Sequence, residues 1–469
     1  MKVVIVGGVA GGASCAARLR RLDEKAEIVM VERGPYVSYA NCGLPYHVSG
    51  VIAKESSLLV ASAQMFREHF AIDARTNCEA VSVSPKQKTV DLRNVTTGKV
   101  TTESYDKLVL SPGAPSVRPP LPGIDLPGIF QVRTVPDVRT IREWIEHGTT
   151  FLAGMYNYSG IQFVKPTRRA VVIGGGFIGL EMAENLVHIG FEVTLVEMLD
   201  QVLAPLDREF AHLVEEHLEH HGVNLALGDG VAGFKQLESG AVDVGTKSGK
   251  AYPADIVILA LGVRPDTTLA KTAGLEIGQR GGIRVDEHMR TSDPDIFAVG
   301  DAIEVKDFVT GQWSLVALAG PANRQGRIAA SALAVAIQMG ATIYDLEEAE
   351  LCYAPQFGSA KDAVNFAGMV AADILHGDMP LAHWEDTKGA FLLDVREPVE
   401  MVVENVPGAV NIPLGQLRQR LGELPRDREI LIICRSGQRA YAATRILLQR
   451  GFKARNISGG MLSHAMLSA

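Results

Sequence analysis

The chain has 469 residues, 47% hydrophobic and 21% charged, with a formal net charge of −8. That length accommodates about three domains with substantial cores, and the acidic balance argues against general nucleic-acid binding, which needs a basic domain or stripe. The five cysteines, Cys15, Cys42, Cys78, Cys352 and Cys434, are odd in number and far apart. They do not form a disulfide scaffold, and with no CxxC pair they predict no zinc or other metal site.

Residues 1–8 enter a strand and a glycine loop directly, without the layout of a signal peptide. No apolar run reaches the roughly 18 residues that a membrane span needs. The expectation is a cytoplasmic protein with no membrane span. Residues 2–6 (Lys-Val-Val-Ile-Val) read as a buried parallel strand. Gly7-Gly8-Val9-Ala10-Gly11-Gly12 follows, then a helical pattern over 13–22 carrying Arg18, Arg20 and Arg21, then a strand over 26–32 ending in Glu32. Glycines at the first turn of a βαβ unit bring backbone N–H groups to a pyrophosphate, and an acid about 20 residues on accepts from a ribose hydroxyl. Val9 occupies the middle glycine position, so the motif is also compatible with a plain turn.

A strand over 108–115 runs into a loop whose prolines, at 119, 120 and 122, mark a domain exit. A second βαβ unit starts at 169–173. Gly174-Gly-Gly176-Phe177-Ile178-Gly179 matches the dinucleotide fingerprint in full, a helix is predicted from Leu180, and the strand over 192–197 ends in Glu197. That acid accepts from a 2′-hydroxyl and repels a 2′-phosphate, which predicts NADH over NADPH. The helix over 209–221 carries His212, His217, His220 and His221, which suit a helix C-terminus better than a metal. Residues 256–265 read as a further strand and turn. Residues 291–302 place Gly300-Asp301 at a carboxyl edge, where ligands of α/β folds bind.

These three ordered motifs over residues 1–330 resemble the pyridine nucleotide–disulfide reductase flavoproteins. The resemblance implies an α/β fold with two Rossmann-like units, the first binding FAD and the second NAD(P)H, with Asp301 on the ribityl chain. It assigns cofactor contacts to Gly7 through Gly12, Glu32, Arg33, Ser111, Gly113, Gly174, Gly176 through Gly179, Glu181, Glu197, Gly300, Asp301 and Ala302. Between Cys15 and Cys78 there is only Cys42, so that cysteine cannot cycle as a local disulfide; it works alone, as a mixed disulfide, persulfide or sulfenic acid. On its own, a cysteine is more often a small buried hydrophobe than a redox centre, because free Cys packs well in cores. The stretch Ser38-Tyr-Ala-Asn41-Cys42-Gly-Leu-Pro-Tyr46 is similar to that of the single-cysteine branch, which holds coenzyme A-disulfide reductases, NADH-dependent persulfide reductases and NADH oxidases or peroxidases. The resemblance implies coenzyme A as substrate or ligand, with Arg18 and Arg21 at its nucleotide end and Ser38 and Asn41 along its pantetheine. It places Tyr353 beside the sulfur and Lys361 near the coenzyme, across a homodimer. The antiparallel interface domain of that family is expected to be truncated here, because only residues 328–350 separate the Gly-Pro-Ala-Asn-Arg-Gln-Gly-Arg motif (320–327) from the tyrosine segment. Residues 149–163 read as an insertion.

Residues 379–469 resemble a rhodanese domain: a strand over 391–395, Asp394-Val-Arg396, a strand over 429–433, the loop Cys434-Arg-Ser-Gly-Gln-Arg439, and a helix to Gln449. Backbone N–H groups, Arg435 and Arg439 are expected to converge on the Cys434 sulfur and lower its pKa. Asn405 stands where a histidine is often seen. The expected division is 1–115 and 246–327 for FAD, 116–245 for NADH, 328–378 for a shortened interface segment, and 379–469 for the rhodanese-like domain. The expected activity is FAD-dependent, NADH-driven reduction of a persulfide, polysulfide or coenzyme A disulfide at Cys42, coupled to sulfur carriage on Cys434. The alternatives are an NADH oxidase or peroxidase, and an impaired reductase acting mainly as a sulfurtransferase or sulfur sensor through Cys434.

Overall fold

The protein is described from a computed structural model that covers residues 1–147, 168–307, 311–335, 373–374 and 376–467. The first sheet is parallel, ordered Ile296–Ala298, Lys107–Leu110, Lys2–Val6, Glu27–Val31, Asp73–Arg75. Its strands are short apolar runs with Val3, Val4, Ile5 and Leu108 through Leu110 fully buried, as a parallel sheet covered by helices requires. The helix Ala10–Leu22 starts three residues before the expected position, with Val9 as its N-cap. Gly11 and Gly12 therefore lie inside the helix, and their role is close packing. A Cβ on Gly12 would meet the Gly7 carbonyl at 1.8 Å, and one on Gly326 would meet the Gly11 carbonyl at 2.2 Å. The latter contact lets the helix Ala319–Val335 lie directly on Ala10–Leu22.

The second parallel sheet is ordered Val223–Ala226, Glu192–Val196, Arg169–Ile173, Ile256–Leu259, Ile129–Gln131. Its helix Phe177–His188 also begins three residues earlier than expected, and Gly179 packs within it, a Cβ there meeting the Gly174 carbonyl at 1.9 Å. The strand Ile296–Ala298 returns the chain to the first sheet and delivers Gly300 and Asp301 to its carboxyl edge. Antiparallel three-stranded sheets, Cys78–Ser84 with Thr89–Asn94 and Val100–Ser104, and Val231–Gln236 with Val242–Thr246 and Ala251–Ala254, flank the two parallel sheets.

A third parallel sheet runs Leu381–Ala382, Ala454–Ile457, Ile430–Ile433, Phe391–Asp394, Val410–Asn411. This module docks on the first. Arg418 pairs with Glu24 at 2.6 Å and donates to the His69 carbonyl, while Arg445 and Gln449 donate to the Arg21 carbonyl at 2.9 and 2.7 Å. In the helix Arg208–His220, His212 faces Glu215 and Glu216, and the cap residue His221 donates from Nδ1 to the His217 carbonyl. Among the described residues no helix is long and apolar enough to cross a membrane.

Candidate active site

Both βαβ units build the same device. In the first, the Glu32 carboxylate accepts from the Gly8 N–H at 2.9 Å and the Gly34 N–H at 2.8 Å. In the second, Glu197 accepts from the Gly175 N–H at 2.6 Å and the Leu199 N–H at 2.8 Å. Each acid is fixed at the mouth of its glycine turn with lone pairs left for hydroxyls. Neither following helix has a side-chain cap, so the first N–H groups of each point out of the turn unspent. A Cβ on Gly176 would meet nothing within 4 Å, which leaves room for a ligand to reach the backbone. Uncapped helix N-termini and clamped acids in both units, with open space at Gly176 in the second, fit two dinucleotides. Ser111 and Gly113 border the first turn: the Ser111 carbonyl lies against Gly7, and Gly113, at φ +73°, faces the Arg133 guanidinium. Arg33 is exposed, Ala302 is buried, and Phe177 and Ile178 begin the second helix, Phe177 being 62% exposed.

The 320–327 motif holds this edge together residue by residue. The Gln325 Oε1 accepts from the Gly300 N–H at 2.8 Å and so fixes the turn that carries Asp301. Ser14 donates to the Asn323 side chain across the two packed helices. Gly326 permits their close approach, and Arg327 joins the cationic cluster described below. Burial raises the Asp301 carboxyl, and the Arg133 guanidinium, 3.6 Å away, opposes that shift.

Cys42 lies in the short turn Asn41–Gly43, which leads into the helix Leu44–Val48. Ser49 donates to Asn185 at 2.5 Å and pins this helix to Phe177–His188. The Cys42 thiol therefore feels carboxylates from both units. Burial, then Glu181, then Asp301 push it up to about 11. Burial, then Glu184, raises Glu181 itself to about 7. Tyr46 is pushed up to about 12, chiefly by burial. Ser38, at φ +47°, closes the chain against the glycine turn by donating its N–H to the Gly8 carbonyl at 2.7 Å. Asn41 donates to the Arg133 carbonyl at 3.4 Å.

Arg18 and Arg21 face the junction with the third module. Arg18 pairs with Asp373 at 3.5 Å, and Arg21 stacks over the Tyr441 ring at 5.9 Å. Arg327 sits in the field of both; burial first, then those two cations, lower it to about 10. Three guanidiniums thus lie around Asp373, and among the described residues the buried Nε atoms of Arg18 and Arg21 have no hydrogen-bond partner. Sequence reasoning found Arg18 and Arg21 but missed Arg133, Arg327 and Tyr441. Only the quoted 320–327 motif carried a signal, for Arg327.

In the third module the buried Cys434 sulfur accepts from the Gly437 N–H at 3.1 Å, and Gly437, at φ +94°, caps the helix Gln438–Gln449. The expected convergence of arginines on the sulfur is corrected here. Arg435 is exposed, and Arg439 is held by Glu400 in a two-pronged pair at 2.6 and 2.7 Å. Arg439 still lies within electrostatic reach of Cys434. Asp394 and Arg396 form a fully buried pair at 2.7 Å beneath the loop. Tyr353, Lys361, Cys352, the 149–163 insertion and most of the interface segment lie outside the described residues.

Residues 1–326 match the family described as pyridine nucleotide-disulphide oxidoreductase, and residues 381–465 match the rhodanese-like domain. The chain is 35% identical to the NADH oxidase of Methanocaldococcus jannaschii over 338 residues, 71% of this chain and 70% of that one. It is 34% identical to the NAD(P)H sulfur oxidoreductase (CoA-dependent) of Pyrococcus abyssi over 336 residues, 71% and 69% of the two chains. The structure of reduced Bacillus anthracis CoADR-RHD is similar over 99% of this chain and 98% of that one, at 39% identity and a TM-score of 0.65. An NAD-dependent persulfide reductase from A. fulgidus is similar over 98% and 99%, at 32% identity and a TM-score of 0.65.

Proposed function

The chain belongs to the pyridine nucleotide-disulphide oxidoreductase family and carries a rhodanese-like domain, and from that premise we propose that it is an FAD-dependent, NADH-driven reductase of persulfides, polysulfides or coenzyme A disulfide. The observation that carries the reading is the setting of Cys42: the only cysteine between Cys15 and Cys78, within the fields of Asp301 from the first unit and Glu181 from the second. Bound in the two units, FAD and NADH would supply the electron pair that cleaves a sulfur–sulfur bond at that position.

The chain's own residues do the rest. Glu32 and Glu197 hold ribose hydroxyls, Glu197 favouring NADH over NADPH. Asp301 orients the ribityl end of FAD. The Cys42 thiolate attacks a substrate sulfur, forming a mixed disulfide or persulfide and releasing a thiolate or sulfide. Glu181, raised to about 7, can keep a proton near that leaving group at neutral pH. Arg18, Arg21 and Arg327 suit the phosphates of coenzyme A, because clustered guanidiniums recognise multiply charged oxyanions. Cys434 carries sulfane sulfur.

On this reading residues 1–115 and 246–327 serve FAD and 116–245 serve NADH. We propose that the chain works as a homodimer in which Tyr353 serves the sulfur of the partner subunit's Cys42 and Lys361 serves the coenzyme A there, and a strictly monomeric species in sedimentation would remove those roles. The test of the reading is anaerobic NADH consumption with coenzyme A disulfide, coenzyme A persulfide, polysulfide or oxygen as acceptor. Sulfur acceptors should support turnover in the wild type and none in Cys42→Ser. The relatives named NADH oxidase favour a second reading, in which oxygen is the acceptor. Faster turnover with oxygen than with any sulfur acceptor would establish it. If only Cys434-dependent sulfur transfer were found and no flavin bound, the chain would be a sulfur carrier alone.

A further inference from the structure

Glu400 has no place in the reductase chemistry, yet it grips Arg439, which closes the loop of the second cysteine. Its Oε1 and Oε2 take both Arg439 Nη atoms at 2.7 and 2.6 Å, and its Oε2 also accepts from the Glu397 N–H at 3.0 Å. The carboxylate is thus locked as the third residue of the helix Pro398–Val403 within a capping box. Arg439, in the first turn of the helix that follows the loop, sits within the field of Cys434, so the locked pair offsets its charge there. The helix bearing Glu400 also exposes Val399, Val402 and Val403, each more than two-thirds accessible.

We infer that Glu400 is a specificity-determining residue of the rhodanese-like module: by holding Arg439 it excludes small divalent sulfur oxyanions such as thiosulfate and selects organic persulfides as donors to Cys434. The inference rests on the proposed sulfur-carrier role of Cys434. In the transfer step the Cys434 thiolate attacks the outer sulfur of the donor. A new sulfur–sulfur bond forms on Cys434, and the bond from that sulfur to the donor breaks. The electron pair leaves with a thiolate from a persulfide, or with sulfite from thiosulfate, so no external oxidant or reductant is needed.

The test compares sulfur transfer to cyanide from thiosulfate and from glutathione persulfide by the full-length chain. In Glu400→Gln the freed guanidinium can bind the oxyanion, and the KM for thiosulfate should fall roughly tenfold or more, the scale of one charge-assisted contact. The preference for persulfide over thiosulfate should fall by the same factor. Glu400→Asp keeps the charge and should keep the wild-type preference. The double variant Glu400→Gln/Arg439→Gln should lose the gain, because the gain belongs to Arg439. An unchanged thiosulfate KM in a folded Glu400→Gln chain, or a gain that survives loss of Arg439, would overturn the inference. A wild-type chain that takes sulfur from neither donor would overturn the sulfur-carrier reading and the inference with it, whereas transfer from persulfide with no effect of Glu400 overturns the inference alone.

Discussion

On the proposed reading Cys42 and Glu181 carry the chemistry, and Glu181 also carries a stability cost. With the Cys42 thiol raised to about 11, only about one molecule in a thousand is thiolate at pH 8. Iodoacetamide should therefore label Cys42 of flavin-free protein very slowly at pH 8 and progressively faster towards pH 11, as followed by mass spectrometry of the 42-containing peptide. For Glu181 the folded value, about 7, lies above the ordinary carboxylate value of 4.5. Below 4.5 the group is neutral in both states and costs nothing. As pH rises from 4.5 to 7 the unfolded chain ionises first, so folded stability is lost across that window and the loss is constant above it. Glu181→Gln should then leave the melting temperature nearly unchanged at pH 4.5 and raise stability at pH 8 by about 1–3 kcal/mol, read by calorimetry. Glu197, clamped by two backbone N–H groups, predicts the coenzyme: Glu197→Gln should narrow the preference for NADH over NADPH, measured as the ratio of kcat/KM values.

At the scale of elements, the helices Ala10–Leu22 and Ala319–Val335 act as one unit because glycine faces backbone across their contact. A methyl at 326 would lie 2.2 Å from the Gly11 carbonyl and must force the helices apart. Gly326→Ala should cost roughly 1–3 kcal/mol or more and weaken flavin retention, because Gln325 next to it holds the Gly300 turn; the bound-flavin absorbance after gel filtration reads it directly. The strands were legible from short β-branched runs, and the positions of the glycine turns from their spacing. The three-residue error at both helix starts has one cause. Glycines at 11, 12 and 179 are poor helix formers and read as loop, while tertiary packing places them inside the helices.

For the whole molecule, the join between the third module and the first is a buried charge pair. The Glu24 side chain is 2% exposed against Arg418, and its removal leaves an uncompensated guanidinium at a cost of about 3 kcal/mol or more. Glu24→Ala should loosen the module, splitting a single calorimetric transition in two and speeding proteolysis near residue 380. The arginine cluster lies at that same seam, with Tyr441 supplied by one module and Arg18, Arg21 and Arg327 by the other.

The sequence by itself determined what is local. The two glycine turns with their acids, the Gly300-Asp301 turn, the solitary Cys42 and the Cys434 loop are each written within a few dozen consecutive residues, because a phosphate cradle or a strand-end turn is a property of neighbouring backbone. Tertiary structure alone decided which side chains share a field. Cys42 meets Glu181 and Asp301, Arg327 meets Arg21 and Tyr441, and Arg439 is claimed by Glu400. Some of these groups are separated by hundreds of residues in the chain. Charge, burial and hydrogen bonding act over a few ångströms, so their sum is fixed only when packing brings the segments together.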